Sequence, residues 1–413
     1  MRAKLAVLAI AVAAVAMTAT PASAVELHGY WRNGVGGNSA GGPQVCFRAP
    51  GAWYKWRLGN ECEQYAEFEL METVYKDKSG VQFDFHQMLA YVTGVAPTTF
   101  NAIPANNWAL RQLWIEAKNV PSLGGASLWI GDRYYRRHNV DPIDFFYWDP
   151  SGTGFGIENV DLGFGKLAFA TFETIAGNAA NMVMWRPDLQ LYGMAVNPNG
   201  TLEIGLSLNL LSNGSATIAQ TPSRSTASPF VTVEHTQANL AGGSNRLALQ
   251  FGTGTIWNLS GSGPDFGGTS DDKQFRLVEQ FQFQPSPQFS GLFELTYAMI
   301  KRADPTANAS IFGVGIRPVV HFSDYFKLQL DLGLGSYNQN GRPYDYLWKA
   351  TLAPTIVAGG GYWARPELRL FVTYANWNDA ARTNPGAAPT DQGNPFGTKN
   401  SGVTAGAQLE AWF

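Results

Sequence analysis

Apolar and polar positions alternate along this chain with a period of two. Val25, Leu27, Gly29 and Trp31 share one parity, and Glu26, His28, Tyr30 and Arg32 share the other. Leu202, Ile204, Leu206, Leu208 and Leu210 alternate with Glu203, Gly205, Ser207 and Asn209. Phe326, Leu328, Leu330, Leu332 and Leu334 alternate with Lys327, Gln329 and Asp331, and Leu368, Leu370 and Val372 with Glu367, Arg369 and Thr373. Strict alternation predicts strands with one apolar and one polar face; helical spacing is not sustained in these segments. Turn clusters separate them, such as Asn197-Pro198-Asn199-Gly200 and Pro285-Ser286-Pro287, and longer Gly/Ser/Pro-rich stretches fall at 212–228, 255–272 and 378–402. Short turns alternating with long loops predict an all-β transmembrane antiparallel barrel of about 18 strands, with roughly 22 residues per strand and its connection.

A large β-sandwich or jelly roll would also alternate. Three features favour the barrel. Uncharged strand faces recur along the whole chain, too many for one ordinary core. The chain ends in a strand, Gly402–Phe413, with an aromatic last residue. Aromatic clusters (Tyr362-Trp363 and Phe145-Phe146-Tyr147-Trp148) are placed at strand ends, as interfacial girdles require. A closed barrel also satisfies every backbone amide in lipid, which an open sheet cannot.

Composition sharpens this. In the 413 residues, 1–24 read as a secretory signal, with Arg2 and Lys4 before the apolar run Leu5–Met17 and Ala22-Ser23-Ala24 at the cleavage site. The remaining 25–413 form one domain, in which 27 basic residues face the 32 acidic ones, a balance that argues against a nucleic-acid binder. Charged residues are only 15% and aromatics reach 13%. After Met17 no apolar run approaches the roughly 20 residues of a membrane helix. A helical membrane protein and a disordered chain both drop out. Cys46 and Cys62 are the only cysteines. In an exported chain the first reading is a disulfide stapling a short loop; two independent thiols or a metal pair are the alternatives.

If the barrel has a wet lumen, polar parity points inward. Tyr30 shares parity with Glu26, His28 and Arg32, and Tyr65 with Glu61, Glu63, Glu67 and Glu69. Trp377 goes with Glu367 and Arg369, and Trp412 with Gln408 and Glu410, while Phe413 takes the lipid side. Lipid-girdle aromatics would have the opposite parity. An aromatic in an aqueous channel offers a flat apolar platform for the C–H face of a sugar ring, whose hydroxyls can bond to flanking charges. The bland alternative is that these rings pack against inward-folded loops.

Several stretches resemble the maltoporin family of sugar porins. They are Val25–Arg32, Arg57–Glu67, the dense segment 131–167 (GDRYYRRHNVDPIDFFYWDPSGTGFGIENVDLGFGKL), Val233–Gln237, Val314–Pro318, Ala364-Arg365-Pro366 with Phe371–Trp377, and the Glu410-Ala411-Trp412-Phe413 end. The resemblance implies an outer-membrane homotrimer of eighteen-stranded barrels that passively conducts malto-oligosaccharides, with no cofactor or metal. It implies an aromatic slide at Tyr30, Tyr65, Trp377 and Trp412. A neighbouring subunit's second loop adds Phe100, favoured over Trp108, and a sixth step falls near Leu247, either missing or supplied by Phe251. It implies an ionic track of Arg32, Arg57, Glu67, Arg111, Arg137, Asp144 and Asp149, a constriction made by an inward-folded third loop, and a first-loop disulfide between Cys46 and Cys62. Two positions depart from the family: Phe146 stands where the constriction has a tyrosine, and Asn139 where the third loop has an acid after Arg-His. The loop after Trp377 is trimmed. The sugar could thus be sucrose or another oligosaccharide. A general diffusion porin and an outer-membrane hydrolase are the rival readings. Gly37-Asn38-Ser39-Ala40-Gly41 fits G-x-S-x-G but lies in a glycine-rich loop after a strand, not a strand-to-helix turn.

Overall fold

In the computed structural model, the described residues are 25–413 apart from 53, 94–106, 176–181, 214–226 and 256–267. Residues 1–24, expected above to be a secretory signal, and Phe100 lie outside them. The first half of the chain forms β1 (Glu26–Asn38), β2 (Tyr65–Lys76), β3 (Gln82–Val92), β4 (Trp108–Val120), β5 (Ala126–Arg133), β6 (His138–Val140), β7 (Phe145–Trp148), β8 (Gly152–Asp161), β9 (Lys166–Ile175) and β10 (Met182–Asn197). The second half forms β11 (Gly200–Asn213), β12 (Ala227–Leu240), β13 (Gly243–Thr253), β14 (Lys273–Ser286), β15 (Phe289–Lys301), β16 (Ala309–Ser323), β17 (Phe326–Gln339), β18 (Asp345–Val357), β19 (Glu367–Trp377) and β20 (Ser401–Trp412). All but β6 and β7 join one 18-stranded antiparallel sheet, in which β1 pairs with both β2 and β20 and closes the barrel.

The two faces are inverted relative to a water-soluble protein. On β17, Lys327 and Asp331 are 0% exposed while Leu332 and Leu334 are each 39% exposed. On β19, Glu367 is 0% and Leu370 64% exposed. Charges turned inward and leucines turned outward require lipid outside and water within. Bands of exposed aromatics cap both ends of the wall: Phe322, Tyr325 and Phe326 at the short-turn end, Tyr344, Tyr346, Trp348 and Tyr374 at the long-loop end. No helix among the described residues is long and apolar enough to cross a membrane; the strands do the crossing.

Two loops fold into the barrel. The first, 39–64, is stapled by the Cys46–Cys62 disulfide, with Cα atoms 5.9 Å apart. It lies against β16 and β17 where three inward positions are glycine: a side chain at Gly315 or Gly333 would collide with Trp56, and one at Gly313 with Tyr54. The third loop, 134–151, carries the hairpin of β6 and β7. Its Trp148 sits where a side chain at Gly205 of β11 would be. The Phe145–Trp148 run is therefore not an interfacial girdle. Phe145 is 7% exposed and Tyr147 and Trp148 are 0%, because the segment is packed inside the barrel. Tyr362 is likewise buried, in the 358–366 connection against Leu292 and Val319.

Candidate lumenal sugar site

Tyr30 of β1 stands directly opposite Trp412 of β20 in the sheet. Its ring centroid is 6.0 Å from that of Tyr65, the first residue of β2. Trp412 in turn lies 6.5 Å from Trp363, which the 358–366 connection brings to the short-turn end. Trp363 rests edge-on against buried Tyr362 at 4.8 Å and is 40% exposed. Four rings thus follow one another down the inner wall. Sequence parity missed Trp363 because a connection has no strand alternation; its signal was the resemblance at the adjoining Ala364-Arg365-Pro366.

Charges flank this row. Arg32 of β1 reaches Glu63 at 2.5 Å, Glu61 at 3.1 Å and Asp144 of the third loop at 3.1 Å, and its guanidinium carbon is 4.9 Å from the Tyr65 ring centre. Arg57 of the first loop pairs with Glu61 at 2.6 Å, Glu410 at 2.9 Å and Asp141 at 3.0 Å, and donates to the Tyr30 hydroxyl. That hydroxyl donates to Glu410 at 3.0 Å, and the Tyr65 hydroxyl donates to Glu67. Arg365 lies over the Trp412 ring at 4.2 Å and pairs with Glu410 at 2.9 Å. Burial disfavours ionised Asp144, but Arg57 and Arg32 outweigh it and hold the carboxyl below its usual range. Burial likewise opposes ionised Glu63, and Lys55 and Arg32 prevail.

The third loop narrows the lumen opposite. Arg137 contacts two rings, its guanidinium carbon 3.5 Å from the Tyr134 centre and 4.5 Å from that of Phe146. Beside it is a polar cavity of about 420 Å3 whose lining includes Arg111, Arg133, Tyr134, Arg137 and Asp149. Arg111 reaches this cavity through a bulge. The β3–β4 register steps from Met88 opposite Gln112 to Leu89 opposite Leu110, leaving Arg111 unpaired. The loop is anchored to the far wall by His138 and Tyr147, whose side chains meet Glu234 at 3.0 and 2.6 Å, and by Arg136, 2.6 Å from Glu203. His138, Glu203 and Glu234 are the one group among the described residues with three ligand atoms mutually within 4.8 Å. Arg136 and Arg246 already balance both carboxylates, so nothing in its charge calls for a metal.

The family model of the LamB porin matches residues 25–413. The chain belongs to the LamB porin family. Two solved structures share the fold at low identity. OmpF of Salmonella typhi, described in complex with daunomycin, superposes with a TM-score of 0.50 and 9% identity over 94% of this chain and 97% of its own. The outer membrane protein opdK of Pseudomonas aeruginosa does so with a TM-score of 0.50 and 11% identity over 94% and 99%. The protein is an outer-membrane β-barrel porin.

Within this LamB porin, the family-derived positions divide. Tyr30, Tyr65 and Trp412 share the inner wall with Arg32 and Glu67, and Arg57 of the first loop and Asp144 of the third reach the same stretch. Arg111, Arg137, Phe146 and Asp149 gather around the third loop. Trp377 points inward but is 2% exposed, with Phe47 at 6.0 Å and Phe396 at 5.6 Å between centroids. A ring covered by two loops offers no face to a sugar. Leu247 and Phe251 are 36% and 48% exposed and share the outward parity of Leu249, while Ala248 and Gln250 point in. Neither supplies a lumenal step. Trp108 pairs with Tyr91 at 5.2 Å and is 44% exposed. As for hydrolysis, Ser290 and His321 meet at 2.8 Å, but Ser290 is 0% exposed and His321 Nδ1 has no partner among the described residues. No acid completes a triad there.

Proposed function

We propose that this porin is a sugar-selective channel, not an enzyme, passing malto-oligosaccharides by facilitated diffusion. The observation that carries the reading is the row Tyr65, Tyr30, Trp412, Trp363 with charged groups along its edge. Each ring can take the C–H face of a pyranose, and each stacking contact is worth about 1–3 kcal/mol by analogy with base–aromatic stacking. Arg32, Arg57, Glu67 and Asp144 lie within the same stretch of lumen and can exchange hydrogen bonds with the hydroxyl rim. Adjacent weak sites let the chain step from ring to ring, since conduction needs binding that is favourable yet easily released. Phe146, Arg137 and Asp149 bound the bore on the third-loop side. Trp377 serves as a buried support for the first loop rather than as a step. The reading includes a homotrimer in which Phe100 of a neighbour extends the row, as the maltoporin resemblance implies.

Planar-bilayer recordings with maltose, maltotriose, maltohexaose and sucrose test it. Saturable block of ion current, tightening with malto-oligosaccharide length, is the expected result. Current unaffected by every sugar would make the protein a general diffusion porin; tighter block by sucrose would reassign the substrate.

A further inference from the structure

We propose that the third-loop cavity is a carboxylate-binding subsite, so that this porin selects acidic, uronate-bearing oligosaccharides over neutral ones of equal length. The proposal rests on the sugar-channel reading and adds the substrate class. Asn139 and Phe146, the two departures from the family pattern, stand opposite each other in the β6–β7 hairpin. Phe146 has no hydrogen-bonding atom in its side chain and Asn139 no charge, so neither supplies an anionic partner for a guanidinium. Arg137 contacts both the Tyr134 ring at 3.5 Å and the Phe146 ring at 4.5 Å. Both rings hold the guanidinium in place, and none of its N–H groups has a hydrogen-bond partner among the described residues. Among the described residues no carboxylate comes within ion-pair distance of Arg137 or Arg111, although both line the same cavity.

Each other charged group of the lining has a partner, although the neutral donors to Asp132 and Asp149 leave both carboxylates charged. Arg133 pairs with Glu158 at 2.8 Å, Asp132 accepts from Thr153, and Asp149 accepts the Ser151 amide at 3.2 Å. The site therefore holds two guanidiniums with unspent donors. A stacked guanidinium is a planar fork that matches a carboxylate with two parallel hydrogen bonds. A neutral sugar offers hydroxyls, which make weaker single bonds to the same donors. At about 420 Å3 the cavity is of the size of small-molecule pockets.

The experiment is titration of single-channel block by trigalacturonate and by maltotriose, at low and high salt, on the full protein in bilayers. Trigalacturonate is expected to bind about tenfold more tightly at low salt, with the advantage shrinking as salt screens the pair. Arg137→Gln should bring the two affinities together. Arg137→Lys, which keeps the charge and loses the fork, should recover only part of the difference, and Arg111→Gln gives a second reading should Arg137 variants fail to assemble. Equal block of the wild type by both sugars, or a preference that survives Arg137→Gln, overturns the subsite. Maltotriose block without uronate preference sinks this inference alone; no block by either sugar sinks the sugar-channel reading beneath it.

Discussion

The indole of Trp56 occupies the space that a side chain at Gly333 would fill. Trp56 is 1% exposed and comes from the first loop, whereas Gly333 belongs to the wall. The loop is thus keyed into the barrel by one large residue set against glycines. Removing a buried tryptophan costs about 3–5 kcal/mol, and here the loss falls on loop docking, because the sheet's own hydrogen bonds are untouched. Trp56→Ala should therefore raise single-channel conductance and current noise while the barrel still resists detergent. Gly333→Val should act in the same direction by excluding the indole. Wild-type conductance in both variants would show that the loop does not narrow the lumen.

The aromatic row makes a prediction about three tryptophans. Trp412→Ala and Trp363→Ala should each weaken malto-oligosaccharide block by about 1–3 kcal/mol. Trp377→Ala should instead lower thermal stability, since Trp377 packs on Phe47 and Phe396 and offers no free face. Sugar titrations together with melting curves separate the two classes. Weakened block with unchanged melting in Trp377→Ala would restore it to the sugar path.

Much of this was legible in the sequence because lipid and water sort side chains by parity. The inward placement of Tyr30, Tyr65 and Trp412 follows from their neighbours in the same strands. Parity names the face of a wall but not what covers it, and so it could not distinguish the open Trp412 from the covered Trp377. It is also silent where strands end. Trp363 sits in a connection, and Phe145–Trp148 form an unbroken aromatic run whose inward fold is set by distant partners such as Gly205 and Glu234. Arg111 owes its direction to a bulge, which a local pattern of two cannot reveal.

The disulfide gives a prediction of its own. Cys46 and Cys62 close a loop of sequence separation 16 within the lumenal segment and join no two strands. Such a closure is worth about 3 kcal/mol in the chain-entropy picture, and here it acts on the first loop alone. Reduction should leave the barrel's resistance to detergent intact and broaden the distribution of channel currents. Collapse of the barrel on reduction would mean that the bridge supports the wall itself.

The link between the two inward loops should respond to acid. Arg32 reaches from β1 to Asp144 of the third loop and to Glu63 of the first. Both carboxyls are held below their ordinary values, about 3.9 for Asp and 4.3 for Glu. A carboxyl depressed by folding contributes stability that is fully present above its unfolded value and is lost as pH falls through the folded one. Loop ordering should consequently be constant from neutral pH down to about 4 and decline below it. The Asp144 side chain is 34% exposed and Arg32 keeps Glu61 and Glu63, so losing this one pair costs about 1 kcal/mol or less. Asp144→Asn should then bring modest current flicker at neutral pH and remove part of the acid response, read by recording the channel between pH 7 and 3. A quiet wild-type channel throughout, or an Asp144→Asn channel with an unaltered acid response, would show that this pair does not hold the loops together.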